Sequence, residues 1–261
     1  MITALVLSGG SGTRMGMDTP KQYIEVNGRS VISYCLEILL NHETIDAVQI
    51  VADEAWREMI LKTVKRLCQA VGEDTLGEGA LGGNTPESSP GYKKRMGKLR
   101  GFSAPGKTRQ CSILNGLHDI RKYAVDSDYV LIHDAARPLL PPALITDCIC
   151  AIKGHDGVLP VLSMKDTVYV SKDGRSVSSL LERSNVFAGQ APELFALGKY
   201  YEANRRLLPD SIFQMNGSTE PAVMAGMDIV MIPGDERNFK LTTVVDLERF
   251  REIIQKGKYM A

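Results

Sequence analysis

The 261-residue chain has no net charge, since 31 Lys and Arg balance 31 Asp and Glu. A dedicated nucleic-acid binder would carry a basic domain, so no nucleic-acid partner is expected, although a local cationic pocket is not excluded. No apolar run approaches the ~20 residues of a membrane span, so no membrane partner is expected either. The opening MITALVLSGGSGTRMG lacks the positive n-region of a signal peptide, and Gly, Thr and Arg follow its apolar run where a cleavage site belongs. None of the five cysteines (Cys35, Cys68, Cys111, Cys148, Cys150) forms a CxxC pair, which argues for free thiols in a reducing cytoplasm rather than metal ligands. No HExxH, Ser-His-Asp or paired-carboxylate pattern emerges, and His118 and His155 lack a visible partner. With 44% apolar and 24% charged residues the composition is that of a folded globular chain.

Apolar periodicity supplies most of what is there. Short buried-strand runs fall at 2–7, 47–52, 129–132, 157–162 and 229–232, and helical stripes at 31–40, 56–71, 110–123, 141–153 and 244–255. Thr243 and Asp246 have the spacing of a capping box at the start of the last helix. Strands alternating with helices predict an α/β domain, a parallel sheet covered on both faces. Ligands then bind in the loops at the strand C-terminal ends, after Leu7, Ala52, Ile132, Leu162 and Ile232. Two segments break the alternation. Residues 72–106, rich in Gly, Pro, Ser and Lys, read as an insertion-like surface loop. The stretch TVYVSKDGRSVSSLL within 164–183 reads as a hairpin that projects as an arm and packs on a partner subunit. The whole of 1–261 is expected to be a single domain with these two appendages.

Three motifs carry chemistry. In LSGGSGTRMGMDTPKQY, at 7–23, a strand runs into Gly9, Gly10 and Gly12, followed by Arg14 and Lys21. Glycines let backbone N–H groups approach a phosphate, and the cations add charge-assisted donors. Met15 stands at the third glycine position of a dinucleotide fingerprint, which argues against a nicotinamide enzyme. GFSAPGKT, at 101–108, matches a P-loop pattern around Lys107, but the preceding YKKRMGKLR is too basic for a central strand and Pro105 removes an N–H from the cradle. In HDAARP, at 133–138, Asp134 at a strand end beside phosphate-binding loops suits Mg2+, and Arg137 can pair with it or hold a loop. KDT at 165–167, GQAPELF at 189–195, STEPA at 218–222 and NFKLTT at 238–243 each join a predicted element to a loop and are unspecific alone.

Taken in this order, the motifs resemble those of the methylerythritol-phosphate cytidylyltransferases and the related ribitol-phosphate cytidylyltransferases, nearly end to end from Ile2 to about Ile254. The resemblance implies a Rossmann-like nucleotidyltransferase fold with a mixed, mostly parallel sheet and an arm-exchanged homodimer. It implies transfer of CMP from CTP to a polyol phosphate with release of pyrophosphate, assisted by Mg2+ or another divalent cation. Leu7, Ser8, Gly9, Gly10 and Gly12 would then cradle CTP, and Gly106, Arg109 and Ser112 would face its cytidine. Arg14, Lys21 and Lys240 would be catalytic, and Asp134 would lie on the metal and substrate side. Thr167, Arg183 and Thr219 would bind the polyol phosphate, the first two reaching across to a neighbouring subunit. The methylerythritol enzymes usually show Thr-Pro-Gln and TDEA where this chain has Ala191-Pro192-Glu193 and Thr219-Glu220-Pro221-Ala222.

Overall fold

The computed structural model describes residues 1–10, 19–70, 87 and 89–257. The chain begins with β1 (Ile2–Leu7), a 3-10 turn (Lys21–Tyr23), the hairpin strands β2 (Glu25–Val26) and β3 (Arg29–Ser30), then α1 (Val31–Asn41), β4 (Ala47–Val51) and α2 (Glu54–Ala70). There follow α3 (Pro90–Lys98), β5 (Leu99–Ser103), α4 (Arg109–Ile120), β6 (Tyr129–Asp134), α5 (Pro142–Ala151) and β7 (Gly157–Ser163). The arm strands β8 (Tyr169–Val170) and β9 (Ser179–Leu180) precede β10 (Phe187–Gly189) and β11 (Glu193–Ala196). The chain closes with α6 (Leu197–Arg205), α7 (Glu220–Met224), β12 (Ile229–Pro233) and α8 (Val244–Gln255).

Among the described residues the main sheet has eight strands. From one edge the order is β5, β4, β1, β6, β11 and β7, with β12 on the outer side of β7 and β10 extending the line of β11. β1 lies between β4 and β6, parallel to both, with Leu7 opposite Val51 and Asp134. A strand covered on both faces reads as a continuous apolar run, and the central residues of ITALVL are all buried. One face is packed by α1, α2, α3 and α5 over Ala4, Val6, Ile50 and Leu131. The other is packed by α4 and α6 over Leu5, Val51, Ile132 and Phe195. Helix α8 packs against α1 through Phe250 and Tyr34, whose rings meet edge to face at 5.1 Å.

Two expectations need correction. The sheet is mixed and mostly parallel, as the resemblance implies, so only the wholly parallel sheet read from strand–helix alternation is corrected: β10 and β11 run antiparallel to β7, and β11 also to β6. The reason is topological. The chain leaves β7 at its C-terminal end, makes the arm there, and has to re-enter the sheet from that end. The loop expected over 72–106 is also interrupted. Residues 71–86 and 88 lie outside the described residues, but Ser89 caps α3 by accepting a hydrogen bond from the Tyr92 N–H, and Leu99–Ser103 pairs with β4. The basic stretch before the P-loop-like motif is therefore a helix followed by an edge strand. An edge strand has one sheet neighbour, so a bulge can be absorbed there. Here the register jumps from Leu99 to Gly101, leaving Arg100 unpaired in the ladder, and Gly101 takes φ +141°, which disfavours any side chain.

Two local expectations hold, the capping box and the arm hairpin. Thr243 and Asp246 form the reciprocal capping box at the start of α8. The arm hairpin pairs Tyr169 with Leu180 and turns about Asp173, whose carboxylate accepts from the Arg175 and Ser176 N–H groups. Its apolar side chains Tyr169, Val177 and Leu180 are each at least 60% exposed, so the arm has no core of its own in a single chain.

Candidate active site

The C-terminal ends of β1 and β6 and the N-terminus of α4 surround a cavity of about 450 Å3. Leu7, Gly9 and Gly10 line it from the first loop, Lys21 and Gln22 from the following turn, and Gly106, Lys107, Thr108, Arg109 and Ser112 from the start of α4. Asp134 and Ala136 follow β6, while Lys240 and Thr242 enter from the loop before α8.

Each wall is fixed by local hydrogen bonding. Gln22 Nε2 donates to the carbonyls of both Ser8 and Gly10 at 2.8 Å, closing the glycine loop against the Lys21 turn. Ser8, expected among the nucleotide contacts, is buried instead; its hydroxyl donates to Tyr23 Oη, which donates back to the Ser8 carbonyl. Thr108 caps α4 by accepting from the Cys111 N–H, and the Gly106 N–H donates to Ser112 Oγ at 2.9 Å. A Cβ on Gly106 would sit 2.3 Å from Cys111 Cβ, so only glycine lets the loop fold this tightly onto the helix. Thr108 is thereby spent as a cap, which removes the Ser/Thr function of a P-loop, although Lys107 does line the cavity.

Asp134 is the charge centre. Arg109 Nε and Nη2 both donate to Oδ1, at 3.2 and 3.0 Å, and Lys240 Nζ donates to Oδ2 at 2.9 Å. Burial by itself would raise this carboxyl, but the Arg109 guanidinium and the Lys240 ammonium outweigh it and hold the group well below the usual carboxylate range. Arg137 lies 3.9 Å from Asp134 and spends its Nη1 on the Asn238 carbonyl at 2.6 Å, so it serves both roles the sequence allowed. The Leu241 N–H donates to the Ala136 carbonyl, and Asp246 accepts from the N–H groups of Thr242 and Thr243. These bonds place Lys240, far along the chain, over the end of β6.

Glu193 stands in the GQAPELF motif where the methylerythritol enzymes usually have Gln, but is not among the expected site residues. It is 7% exposed and accepts from the Ser218 hydroxyl. Burial pushes its carboxyl up to about 7, against the pull of Arg109 and the Ser218 hydroxyl. Apart from that departure, the residue pattern of APELF does not show that the carboxylate is buried.

Of the expected site residues, Leu7, Gly9, Gly10, Lys21, Gly106, Arg109, Ser112, Asp134 and Lys240 converge on one cavity. Gly12 and Arg14 lie outside the described residues. Thr219 is not in the cavity wall; it begins α7 next to Ser218, and its hydroxyl is buried without a hydrogen-bond partner. Thr167 and Arg183 lie exposed at the base of the arm, away from the chain's own cavity, with Arg183 Nη1 donating to the Lys165 carbonyl. No described group of three His, Cys, Asp or Glu converges on a point that would hold a metal. Asp134 is the hard carboxylate of the cavity, with Arg109 on one oxygen and Lys240 on the other, so a divalent ion there would have to arrive with polyphosphate oxygens as most of its ligands. Among the described residues no helix is long and apolar enough to cross a membrane.

The comparisons agree with this geometry. The family model "IspD: 2-C-methyl-D-erythritol 4-phosphate cytidylyltransferase" matches residues 2–74 and 101–256 and passes over the stretch between them. A 2-C-methyl-D-erythritol 4-phosphate cytidylyltransferase of Syntrophotalea carbinolica is 32% identical over 94% of this chain and 93% of its own length. A ribitol-5-phosphate cytidylyltransferase of Streptococcus agalactiae is 27% identical over 97% and 95%. The chain spans 56% of the length of the bifunctional IspD/IspF enzyme of Rhizorhabdus wittichii, to which it is 31% identical over 96% of its own length. Among solved structures, the 4-diphosphocytidyl-2C-methyl-D-erythritol synthase of Anaerococcus prevotii superposes with a TM-score of 0.73 at 22% identity, covering 97% of this chain and 96% of that one. With the family model covering most of its length, and its cationic cavity at the strand ends of a nucleotidyltransferase sheet, the chain belongs to the IspD family of cytidylyltransferases.

Proposed function

We propose that this enzyme transfers CMP from CTP to 2-C-methyl-D-erythritol 4-phosphate, a step toward isoprenoid precursors, within a homodimer. The observation that carries the reading is the convergence of Lys21, Lys107, Arg109 and Lys240 around one carboxylate, Asp134, beside a glycine loop. The acceptor is already a phosphate monoester and needs no strong general base. Its oxygen attacks the α-phosphorus of CTP; a new P–O bond forms there and the bond to the β-phosphate oxygen breaks, releasing pyrophosphate. The barrier lies in bringing two anions together and in the charge that builds on the α-phosphate and the leaving group. Fixed cations reduce both, and positioning supplies much of the rest.

On this reading Gly9, Gly10 and Gly12 admit the triphosphate, Arg14 and Lys21 neutralise it, and Lys240 faces the reacting phosphates. Gly106, Arg109 and Ser112 form the cytidine side. Asp134 would share a Mg2+ ion with the triphosphate, and the ion would neutralise developing phosphate charge. Thr167 and Arg183, outside the chain's own cavity, would reach the acceptor phosphate of the neighbouring subunit, and Thr219, also outside that cavity wall, would bind the polyol phosphate.

A second acceptor, ribitol 5-phosphate, is favoured by particular residues. The segments GSGTRMG and Gly189-Gln190 are closer to the ribitol branch, and Ala191 has no hydroxyl to offer a polyol. HDAARP and ERS, with the higher identity of the Syntrophotalea relative, favour methylerythritol phosphate. Pyrophosphate release from CTP and Mg2+ with each acceptor in parallel separates them. Arg14→Ala or Lys21→Ala is expected to lower turnover at least ~100-fold, the size of losing one transition-state donor. Near-normal turnover in either variant removes that residue from the mechanism.

A further inference from the structure

The loop that carries Lys240 has neither a helix nor a strand to hold it: β12 ends at Pro233 and α8 begins at Val244. The Lys240 side chain is 35% exposed, so packing alone does not aim it at Asp134. Two buried amides do for this loop what a ladder does for a strand. Gln190, 5% exposed at the corner between β10 and β11, accepts from the Asp235 N–H at 3.0 Å and donates to the Asp235 carbonyl at 3.1 Å. A side-chain amide has a donor end and an acceptor end, so it pairs with one residue's backbone as a neighbouring strand would. A Cβ on Gly234 would stand 2.5 Å from Gln190 Oε1, so the loop leaves β12 with no room for a side chain against that amide. Asn238, fully buried, donates from Nδ2 to the Ala191 carbonyl at 2.7 Å in the same corner. Its own carbonyl accepts from Arg137 Nη1, and its N–H donates to the Asp235 carbonyl at 3.0 Å. The corner is tied down in turn, since the Gln190 N–H donates to the Pro160 carbonyl on β7. Burying an amide costs free energy unless it is hydrogen-bonded, and both of these make their bonds across one junction.

We propose that Gln190 and Asn238 are positioning residues that act through Lys240: together they latch its loop to the corner where the chain returns from the arm. Lys240 lies two residues beyond Asn238, and the Leu241 N–H bond to the Ala136 carbonyl holds its other side. The latch thus sets where the ammonium stands relative to Asp134 and the reacting phosphates. The inference rests on the cytidylyltransferase reading, which wild-type turnover tests by itself.

Pyrophosphate release from CTP and Mg2+, with the acceptor that wild-type enzyme turns over, gives kcat and KM. It is measured with Tm for Asn238→Ala and Gln190→Met, each alone and in a Lys240→Ala background. A displaced ammonium acts on the transition state, so each single variant is expected to lose kcat about tenfold with KM for both substrates within about threefold. In the Lys240→Ala background no ammonium is left to misplace, and the same substitutions are expected to change kcat by less than about twofold. A residue that merely supports the fold would lower kcat by the same factor in both backgrounds. Asn238→Ala leaves the Ala191 carbonyl unpaired and is expected to lower Tm as well. Gln190→Met keeps an unbranched side chain of similar length in the corner and carries the test should Asn238→Ala not fold. A folded single variant of either residue with wild-type kcat, or one whose loss recurs in full in the Lys240→Ala background, overturns the assignment. Wild-type enzyme that releases no pyrophosphate with either acceptor overturns the cytidylyltransferase reading and this inference with it.

Discussion

Lys240 and Asp134 meet at 2.9 Å across 106 residues of chain. The contact joins the loop before the last helix to the end of a central strand and leaves Asp134 with a cation on each oxygen. Asp134→Asn keeps the shape and removes the charge that both cations share. Stability is expected to fall by about 2–4 kcal/mol in urea unfolding, because Arg109 loses a buried partner. Pyrophosphate release is expected to fall at least ~100-fold. An Asp134→Asn enzyme with wild-type turnover takes Asp134 out of the chemistry.

Two glycines of the cavity wall are expected to respond in opposite ways. Gly106→Ala forces a methyl group against Cys111 and the backbone of α4, and should cost about 1–3 kcal/mol as overpacking. A Cβ on Gly10 meets nothing within 4 Å, so Gly10→Ala should leave Tm nearly unchanged and act only on nucleotide affinity. Thermal denaturation and CTP titration of the two variants check the contrast. Equal losses of Tm contradict it.

Asp246 holds the turn that delivers Lys240. Its Oδ2 accepts from the backbone and hydroxyl groups of Thr242 and Thr243. Asp246→Ala removes half of the capping box and should cost about 1–2 kcal/mol. Because Lys240 is three residues from the cap Thr243, kcat should fall while affinity for the acceptor changes little. A loss of stability with unchanged kcat would separate the cap from the site.

Glu193 and Asp134 give opposite pH dependences. The Glu193 carboxyl is raised, by burial first, from an ordinary 4.5 to about 7. A raised folded-state value lends stability that is fully present below the ordinary value and is lost as pH rises through about 7. Asp134 is held below its ordinary value of 3.8, so its contribution is present above that value and is lost as pH falls beneath it. Between about pH 5 and pH 8 wild-type Tm should therefore fall relative to that of Glu193→Gln. Parallel Tm curves over this range would show that Glu193 is not raised.

How much of this was legible follows from what each feature depends on. Apolar periodicity reports burial along one element, so β1, β4, β6 and the long helices stand out from the sequence. The strand β11 has four residues and owes its place to β6 and β7 on either side, a tertiary fact that no window of sequence contains. The strand β5 hides behind Arg100 and Gly101, which only an edge with a bulge accommodates. In the site, Asp134 and the glycines are marked by their position at strand ends, and Lys21 by its place after the glycine loop. The burial of Glu193 depends on Ser218, 25 residues away, and on α4 and α6 packed over it. Ser8 sits in the glycine motif but faces Tyr23, because the strand ends with that side chain turned inward.

The arm stands clear of its own chain's cavity, with Thr167 and Arg183 at its base and Tyr169 and Leu180 in solvent. In the homodimer proposed for this enzyme, each acceptor site is then assembled from two polypeptides. Catalysis thereby becomes subject to mass action. Diluted below the dissociation constant of the pair, the enzyme would lose specific activity without unfolding, and two differently disabled chains, one in the arm and one in the cavity, would restore each other's turnover when mixed.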